Sequence, residues 1–263
     1  MPDSHTDPGP NSILAGVDDL IDSALCVIDI GEPPHHKHGK SCRRLTKTPV
    51  SGFDASALLE DAYQTVRNNW DASNYHQRSE ENWRFTKQER ISAENSSSEV
   101  CLERAIVSIP EDIWADAENW VNQVPVASGL VDPQADGSRR IDLVHKCGNK
   151  AYEFIELKTA NYTPLYAAME IVKYGVLYIF CREDARTQDW IYRERELLQA
   201  EKIHLRVLAP ANYYEGYDLA WLEASINRGV VKFLAQYKFT MDFKFEALPL
   251  IPSRSPVRWK VRT

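Results

Sequence analysis

Glu156 and Lys158 stand two residues apart in Tyr152–Thr159, YEFIELKT, a run that otherwise has the apolar and aromatic content of a buried strand. Alternate residues of a strand share a face, so this carboxylate and this ammonium sit side by side. Upstream, Asp142 lies between Ile141 and Leu143 in a second strand-like run, RRIDLVHK. The CGNK connection between the runs is of the short Gly- and Asn-containing kind that closes an antiparallel hairpin. Cross-strand neighbours approach to about 5 Å between Cβ atoms, so the hairpin can bring Glu156 beside Asp142. Two carboxylates with an open face bind Mg²⁺, which takes hard oxygen ligands and keeps several waters, and Mn²⁺ accepts the same donors. Such a metal lowers the pKa of a bound water and neutralises a phosphate oxygen, while a neighbouring lysine orients the water or stabilises the pentavalent transition state. The three residues therefore suit phosphodiester hydrolysis.

The same residues also suit a solvated strand face on which Asp142 pairs with Lys158, an interaction worth about 0.2–1 kcal/mol. Phe154 shares that face and Tyr152 lies further along it, so a wholly wet face would expose two aromatic rings.

The elements that must position the site follow from periodicity and punctuation. SILAGVDDLIDSALCVIDIG has the apolar content of a short helix followed by a strand, and the His-, Lys-, Pro- and Gly-bearing stretch from Gly31 to Ser51 reads as a loop. A helix begins at Asp54, a good N-cap, and runs through LLEDAYQTVRNNW; polar, weakly helical sequence follows. EVCLERAIVSI puts Leu102, Ala105, Ile106 and Ile109 on one stripe behind Ser96–Ser98, and IPEDIWADAENWVNQ reads as another short helix. After the hairpin, LYAAMEIVKYGVLYIF reads as a helix from Pro164 that gives way to a strand at Val176–Phe180. DWIYRERELLQAE reads as a helix, IHLRVLAP as a buried strand, LAWLEASINRGVVKFLAQY as a helix and TMDFKFEALP as a strand. The expectation is an α/β protein: a mixed central sheet flanked by helices over residues 96–263, with C-terminal helix and strand additions, behind a mainly helical, partly disordered extension over residues 1–95.

The chain has 263 residues, of which 43% are hydrophobic and 26% charged, enough for one sizeable core. A net charge of −7 argues against a protein that coats nucleic acid without specificity, but leaves room for a local basic groove. The polar, proline-containing start and the lack of an apolar run of about 20 residues point to a cytoplasmic protein outside membranes. Five widely spaced cysteines without a C-x-x-C pair read as reduced thiols.

A helix, a strand with an aspartate, a strand with Glu-x-Lys, a further helix and a further strand, from about Glu99 to Pro210, resemble the PD-(D/E)XK nuclease superfamily. The resemblance implies a restriction-endonuclease-like αβββαβ core and Mg²⁺-dependent cleavage of nucleic acid, DNA in the first instance. It assigns metal binding to Asp142 and Glu156 with the backbone carbonyl of Leu157, and places Lys158 at the attacking water. A first-helix glutamate that completes the site is Glu99 or Glu103, of which Glu99 lies nearer in phase to Leu102 and Ile106. Family members commonly dimerise, so a homodimer is implied. Glu170 and Tyr174 have the spacing of a Gln–Tyr pair in RecB-like members, with glutamate in place of glutamine, and Ile141 stands where the name-giving proline would be.

Arg139 and Arg140, just before the first strand of the hairpin, are candidates for phosphate contact, as are Lys173 and Tyr174 on the following helix. His35, His36, His38 and Cys42 carry metal-ligating groups, but their spacing fits no structural zinc pattern, and a phosphate-touching loop suits them better. His145 alternates out of phase with Asp142 and reads as structural. The tail VRWKVRT mixes cations with a tryptophan that can stack a base. Two other functions compete with the nuclease: a nuclease-like fold that binds or assembles without hydrolysis, and a metal-dependent hydrolase of small phosphoesters.

Overall fold

The computed structural model describes residues 12–26, 36–37, 43–46, 49–73, 80–88, 97–129, 131, 139–160, 162–183 and 194–248. Helix α1 (Val17–Ala24) buries Val17 and Ile21. The remainder of SILAGVDDLIDSALCVIDIG, where a strand is expected, lies outside the described residues from residue 27, as do His35, His38, Cys42 and the C-terminal tail. Helix α2 (Ala55–Ala72) starts at the expected cap: the Asp54 carboxylate accepts from the N–H groups of Ser56 and Ala57 at 2.9 and 3.2 Å. Its buried side, Leu58, Leu59, Ala62, Val66 and Trp70, follows three- and four-residue steps.

Helix α3 (Ser98–Val107) is capped by Ser97, whose hydroxyl accepts from the Val100 N–H at 3.3 Å. Its buried side differs from the expected stripe: Ala105 is exposed, and Glu103, Ile106 and Val107 point inward. The chain then leaves the helix expected for IPEDIWADAENWVNQ. It turns, makes one 3-10 turn at Ala117–Asn119 and enters strand β1 (Trp120–Pro125). Val121 and Val124 of that strand are buried, and pairing along the neighbouring strand overrides a weak helical preference.

Strands β2 (Arg140–Gly148) and β3 (Ala151–Leu157) form the expected hairpin. Helix α4 (Pro164–Glu183) opens with Thr163 accepting from the Tyr166 N–H at 3.3 Å and with Pro164 at the first helical position, where a missing N–H costs nothing. The strand expected at Val176–Phe180 does not form, because those residues continue the helix. α4 is covered nearly all round, so its apolar run carries no periodicity to tell buried helix from buried strand. In place of the helix expected for DWIYRERELLQAE, the described part holds only a 3-10 turn, Glu196–Gln199. Strand β4 (Lys202–Pro210), helix α5 (Ala220–Leu234) and strand β5 (Thr240–Leu248) follow as expected.

The five strands make one open mixed sheet in the order β1-β2-β3-β4-β5. The first two pairings are antiparallel and the last two parallel. The main core unites α4 and α5 with α1, α2 and Trp83, so the segment expected as an extension shares the core of the rest. Trp83, in a stretch that looked polar, is fully buried and stacks on Phe154 at 6.3 Å. A smaller core on the other face joins Ile106 and Val107 of α3 to Leu143, Ile155 and Leu157. The outer edge of β5 is closed by side chains of α5: Asn227 exchanges hydrogen bonds with the N–H and C=O of Phe243 at 2.8 and 2.9 Å, and Glu223 accepts from the Phe245 N–H at 2.9 Å.

Among the described residues, α4 alone is long and apolar enough to cross a membrane by length and composition, and 89% of its most apolar window is buried inside the fold. Its fit over the sheet depends on Gly175, where a Cβ would stand 3.0 Å from Leu205 Cδ1. A tighter contact joins α5 to the start of α2: a Cβ on Gly229 would lie 2.6 Å from the Ala55 carbonyl carbon and 2.7 Å from the Ser56 nitrogen. Backbone cannot swing aside as a side chain can. Gly229→Ala is therefore expected to destabilise the fold by about 1–3 kcal/mol in reversible urea unfolding, whereas Val231→Ala, at a site 69% exposed, stays within about 0.5 kcal/mol of the parent.

Candidate active site

Hairpin register sets the centre of the site. Leu143 pairs with Ile155, and one step further along this register Asp142 stands opposite Glu156. The Leu157 N–H donates to Asp142 Oδ2 at 2.8 Å, which fixes the aspartate against the end of β3. Lys158 follows on the same side as Glu156 and makes a short contact with it; its Nζ also lies 3.6 Å from Glu170 of α4. Asp142, Glu156, Lys158, Glu170 and Tyr174 line one cleft of about 570 Å³ together with Gln123, Arg139 and Arg140. The cleft opens at the carboxyl end of β3, the side of a parallel pair where α/β sheets commonly present their sites.

Burial pushes the Asp142 carboxyl up to about 7, against the pull of the Lys158 ammonium and the Leu157 N–H. Burial also holds the Glu156 carboxyl well above the usual carboxylate range, and the charges of Asp142 and Glu170 push it the same way. Burial alone would weaken the Lys158 ammonium, but Glu156, Glu170 and Asp142 outweigh it and keep the lysine charged. Carboxylates stacked across two strands thus share one ammonium, an arrangement in which added positive charge is strongly favoured.

The two candidate glutamates of α3 take different places. Glu99 accepts from the Thr159 N–H at 3.2 Å, bracing the backbone just after Lys158, and the Ser98 and Thr159 hydroxyls meet at 2.5 Å. Glu103, the less favoured by helical phase, is buried and lies close enough to Asp142 for its charge to raise that carboxyl further. Its oxygens accept from Asn122 Nδ2 at 2.8 Å and Gln123 Nε2 at 2.7 Å. These amides explain why a glutamate, in place of Ala105, turns inward on α3.

Gln123 was not singled out in the sequence. It has φ 52 in the middle of β1 and is the position whose pairing with Asp142 is missing from an otherwise regular β1–β2 register. A left-handed non-glycine residue inside a strand is strained, and here the strain falls at the cleft wall. Nothing in WVNQVP signals it, because the pattern through Gln123 favours a helix, in which no break of strand pairing is expected.

Arg139 and Arg140 border the cleft. Tyr174 lines it too, with its hydroxyl donating to Glu170 at 3.4 Å. Lys173 behaves differently from the expected phosphate contact. It is 3% exposed, and its Nζ donates to Asp18 of α1 at 2.6 Å. Partial burial opposes the ionisation of Asp18, but the ammoniums of Lys173 and Lys37 prevail and hold its carboxyl well below the usual range. Lys173 therefore fastens α1 to α4. Leu157 buries its side chain in the smaller core and can offer the site only its backbone.

His145 points away from the site, as its phase requires. It stacks on Trp120 at 4.3 Å and lies between Glu153 and Asp116 at 2.7 and 2.9 Å. His36 is buried with Nδ1 2.7 Å from Asp22, and Cys26, Cys101, Cys147 and Cys181 are free thiols. Among the described residues, no three His, Cys, Asp or Glu side chains converge as a metal cage. Asp142 and Glu156, with the backbone at Leu157 and space for water, suit a hard divalent cation that keeps part of its hydration, the kind of ion that needs no such cage.

No protein-family model, curated protein or solved structure matches this chain.

An acid that titrates higher in the folded protein than in the unfolded chain binds its proton more tightly when folded. Stability from Asp142 is therefore present below its unfolded value of 3.8 and is lost as pH rises through about 7. Asp142→Asn, which keeps an oxygen for the Leu157 N–H, is expected to gain about 1–2 kcal/mol over the parent near pH 8, with the gain shrinking toward about pH 4. Chemical denaturation at the two pH values checks this; an equal loss at both would mark Asp142 as an ordinary ion-pair partner.

Proposed function

We propose that this protein is a Mg²⁺-dependent nuclease that hydrolyses phosphodiester bonds of nucleic acid, with DNA as the favoured substrate. The observation that carries the proposal is the stacking of Asp142 against Glu156 across the hairpin, with Lys158 in contact and the group open to a cleft bordered by Arg139 and Arg140. A structural ion pair has no need of a second carboxylate that raises the first, nor of an open cleft with cations at its rim. The order α3-β1-β2-β3-α4-β4 supports the PD-(D/E)XK likeness, since it repeats the αβββαβ succession that the likeness implies.

In this proposal Asp142 and Glu156 hold the cation, with the Leu157 carbonyl as a further oxygen donor. Mg²⁺ bound there supplies an acidified water and charge neutralisation at the phosphate. Lys158 keeps its charge and turns its ammonium toward the attacking water or a non-bridging phosphate oxygen. Glu170, on the rigid α4, holds that ammonium from the far side and limits its travel. Arg139 and Arg140 take the neighbouring phosphates, where their planar forks bind without sequence preference. Glu99 braces the turn after Lys158 through the Thr159 backbone.

Lys158→Ala is expected to lower Mg²⁺-dependent cleavage at least about a hundredfold while the fold and divalent-cation binding persist. Gel analysis of labelled DNA and RNA with Mg²⁺ and with Mn²⁺ measures the loss, and calorimetry measures the cation. Parental cleavage by the variant would overturn the role of Lys158. A parent chain that binds nucleic acid but never shortens it would leave a binding or assembly module in place of the enzyme.

A further inference from the structure

Tyr162 lies in the short link between Lys158 and the start of α4, and it is 61% exposed. Its backbone is left-handed, with φ 63, a conformation that is unfavourable for a bulky aromatic residue. Burial does not repay that strain, because more than half of the residue's surface faces solvent. One side of the ring is supported: Tyr166 lies behind it with centroids 4.7 Å apart and planes tilted by 35°. Tyr166 is in turn backed by His36 at 6.1 Å and 23°, with the Lys37 ammonium 5.8 Å from its ring centre. The Lys158 Nζ lies 5.8 Å from the Tyr162 ring centre. A row of rings, His36–Tyr166–Tyr162, therefore ends in an exposed aromatic ring beside the lysine of the site.

We infer that Tyr162 is a stacking platform for an unpaired nucleobase next to the scissile phosphate, so that the substrate is a single strand or a strand with a frayed or flipped base at the cut. This inference rests on the nuclease reading. An exposed aromatic ring accepts any base through its π-face; Lys158 beside it, and Arg139 and Arg140 in the cleft that Lys158 lines, supply the charge that a phosphate backbone requires. Bases inside a duplex are stacked on their neighbours and present edges, so they cannot use this ring without leaving the stack. The ring lies within a nucleotide's reach of the lysine, which sets the stacked base beside the phosphate under attack.

The test uses the full chain with Ca²⁺ in place of Mg²⁺, and as probes a labelled oligothymidylate and the same strand annealed to its complement. The parent is expected to favour the single strand. Tyr162→Ala is expected to cut that preference about tenfold, and Tyr162→Phe to retain it. A strand carrying 2-aminopurine should lose fluorescence on the parent and on Tyr162→Phe but not on Tyr162→Ala. An unchanged preference in Tyr162→Ala would overturn the platform while Mg²⁺-dependent cleavage by the parent keeps the nuclease in place. A Tyr162→Ala chain that alters only its own oligomeric state would overturn it in favour of a contact between copies. A parent that neither binds nor cuts nucleic acid would overturn both readings together.

Discussion

Two carboxylates held opposite each other on neighbouring strands, each largely removed from water, set the terms for everything around them. Asp142 and Glu156 repel, and burial sharpens the repulsion by removing the solvent that would screen it. The fold answers with one ammonium, Lys158, and with an N–H from Leu157 on the aspartate. That answer is incomplete because Glu170 and Glu103 add further negative charge from the helices on either face. A core selected only for stability would have replaced such a group with apolar side chains at little cost. The charged group therefore stands in this fold at a cost in stability that apolar packing would not carry.

The surrounding elements are arranged to hold that group in position. The hairpin register fixes which carboxylates meet, α3 reaches the edge of the group through Glu103, and α4 reaches the other side through Glu170 and Tyr174. α4 is placed by Gly175 against β4 and by the Lys173–Asp18 pair against α1. Positions far apart in the chain thus converge on a few ångströms, and the charges among them are set by packing as much as by residue type.

The centre of the site was legible because strand alternation is a short-range rule. Glu156 and Lys158 in YEFIELKT, and Asp142 across a brief connection, needed only the geometry of a hairpin to be brought together. The caps of α2 and α3, at Asp54 and Ser97, were legible for the same reason, since a cap is decided within one turn. Recognition failed where tertiary partners decide. Trp120–Pro125 became a strand because β2 was there to pair with it, and Val176–Phe180 stayed helical because α4 is enclosed on nearly every side. Lys173 looked like a cation for phosphate, and only the return of α1 from a distant part of the chain gives it Asp18. Glu103 turned inward because two amides of β1 wait for it, and no periodicity of α3 alone encodes their presence.

The enclosure of α4 also bears on how the chain reaches this structure. Its cover comes from α1, α2 and β3, which are made before it, and from β4 and β5, which are made after it. During synthesis the helix therefore emerges with half its neighbours absent, as an apolar surface that water does not favour and that other unfinished chains can bind. The parallel pairing of β3 with β4 cannot form until the helix has crossed between them. Lys158 meets Glu170 only once α4 has folded back over the end of β3, so the charged group is completed by the same docking that begins to cover the apolar helix.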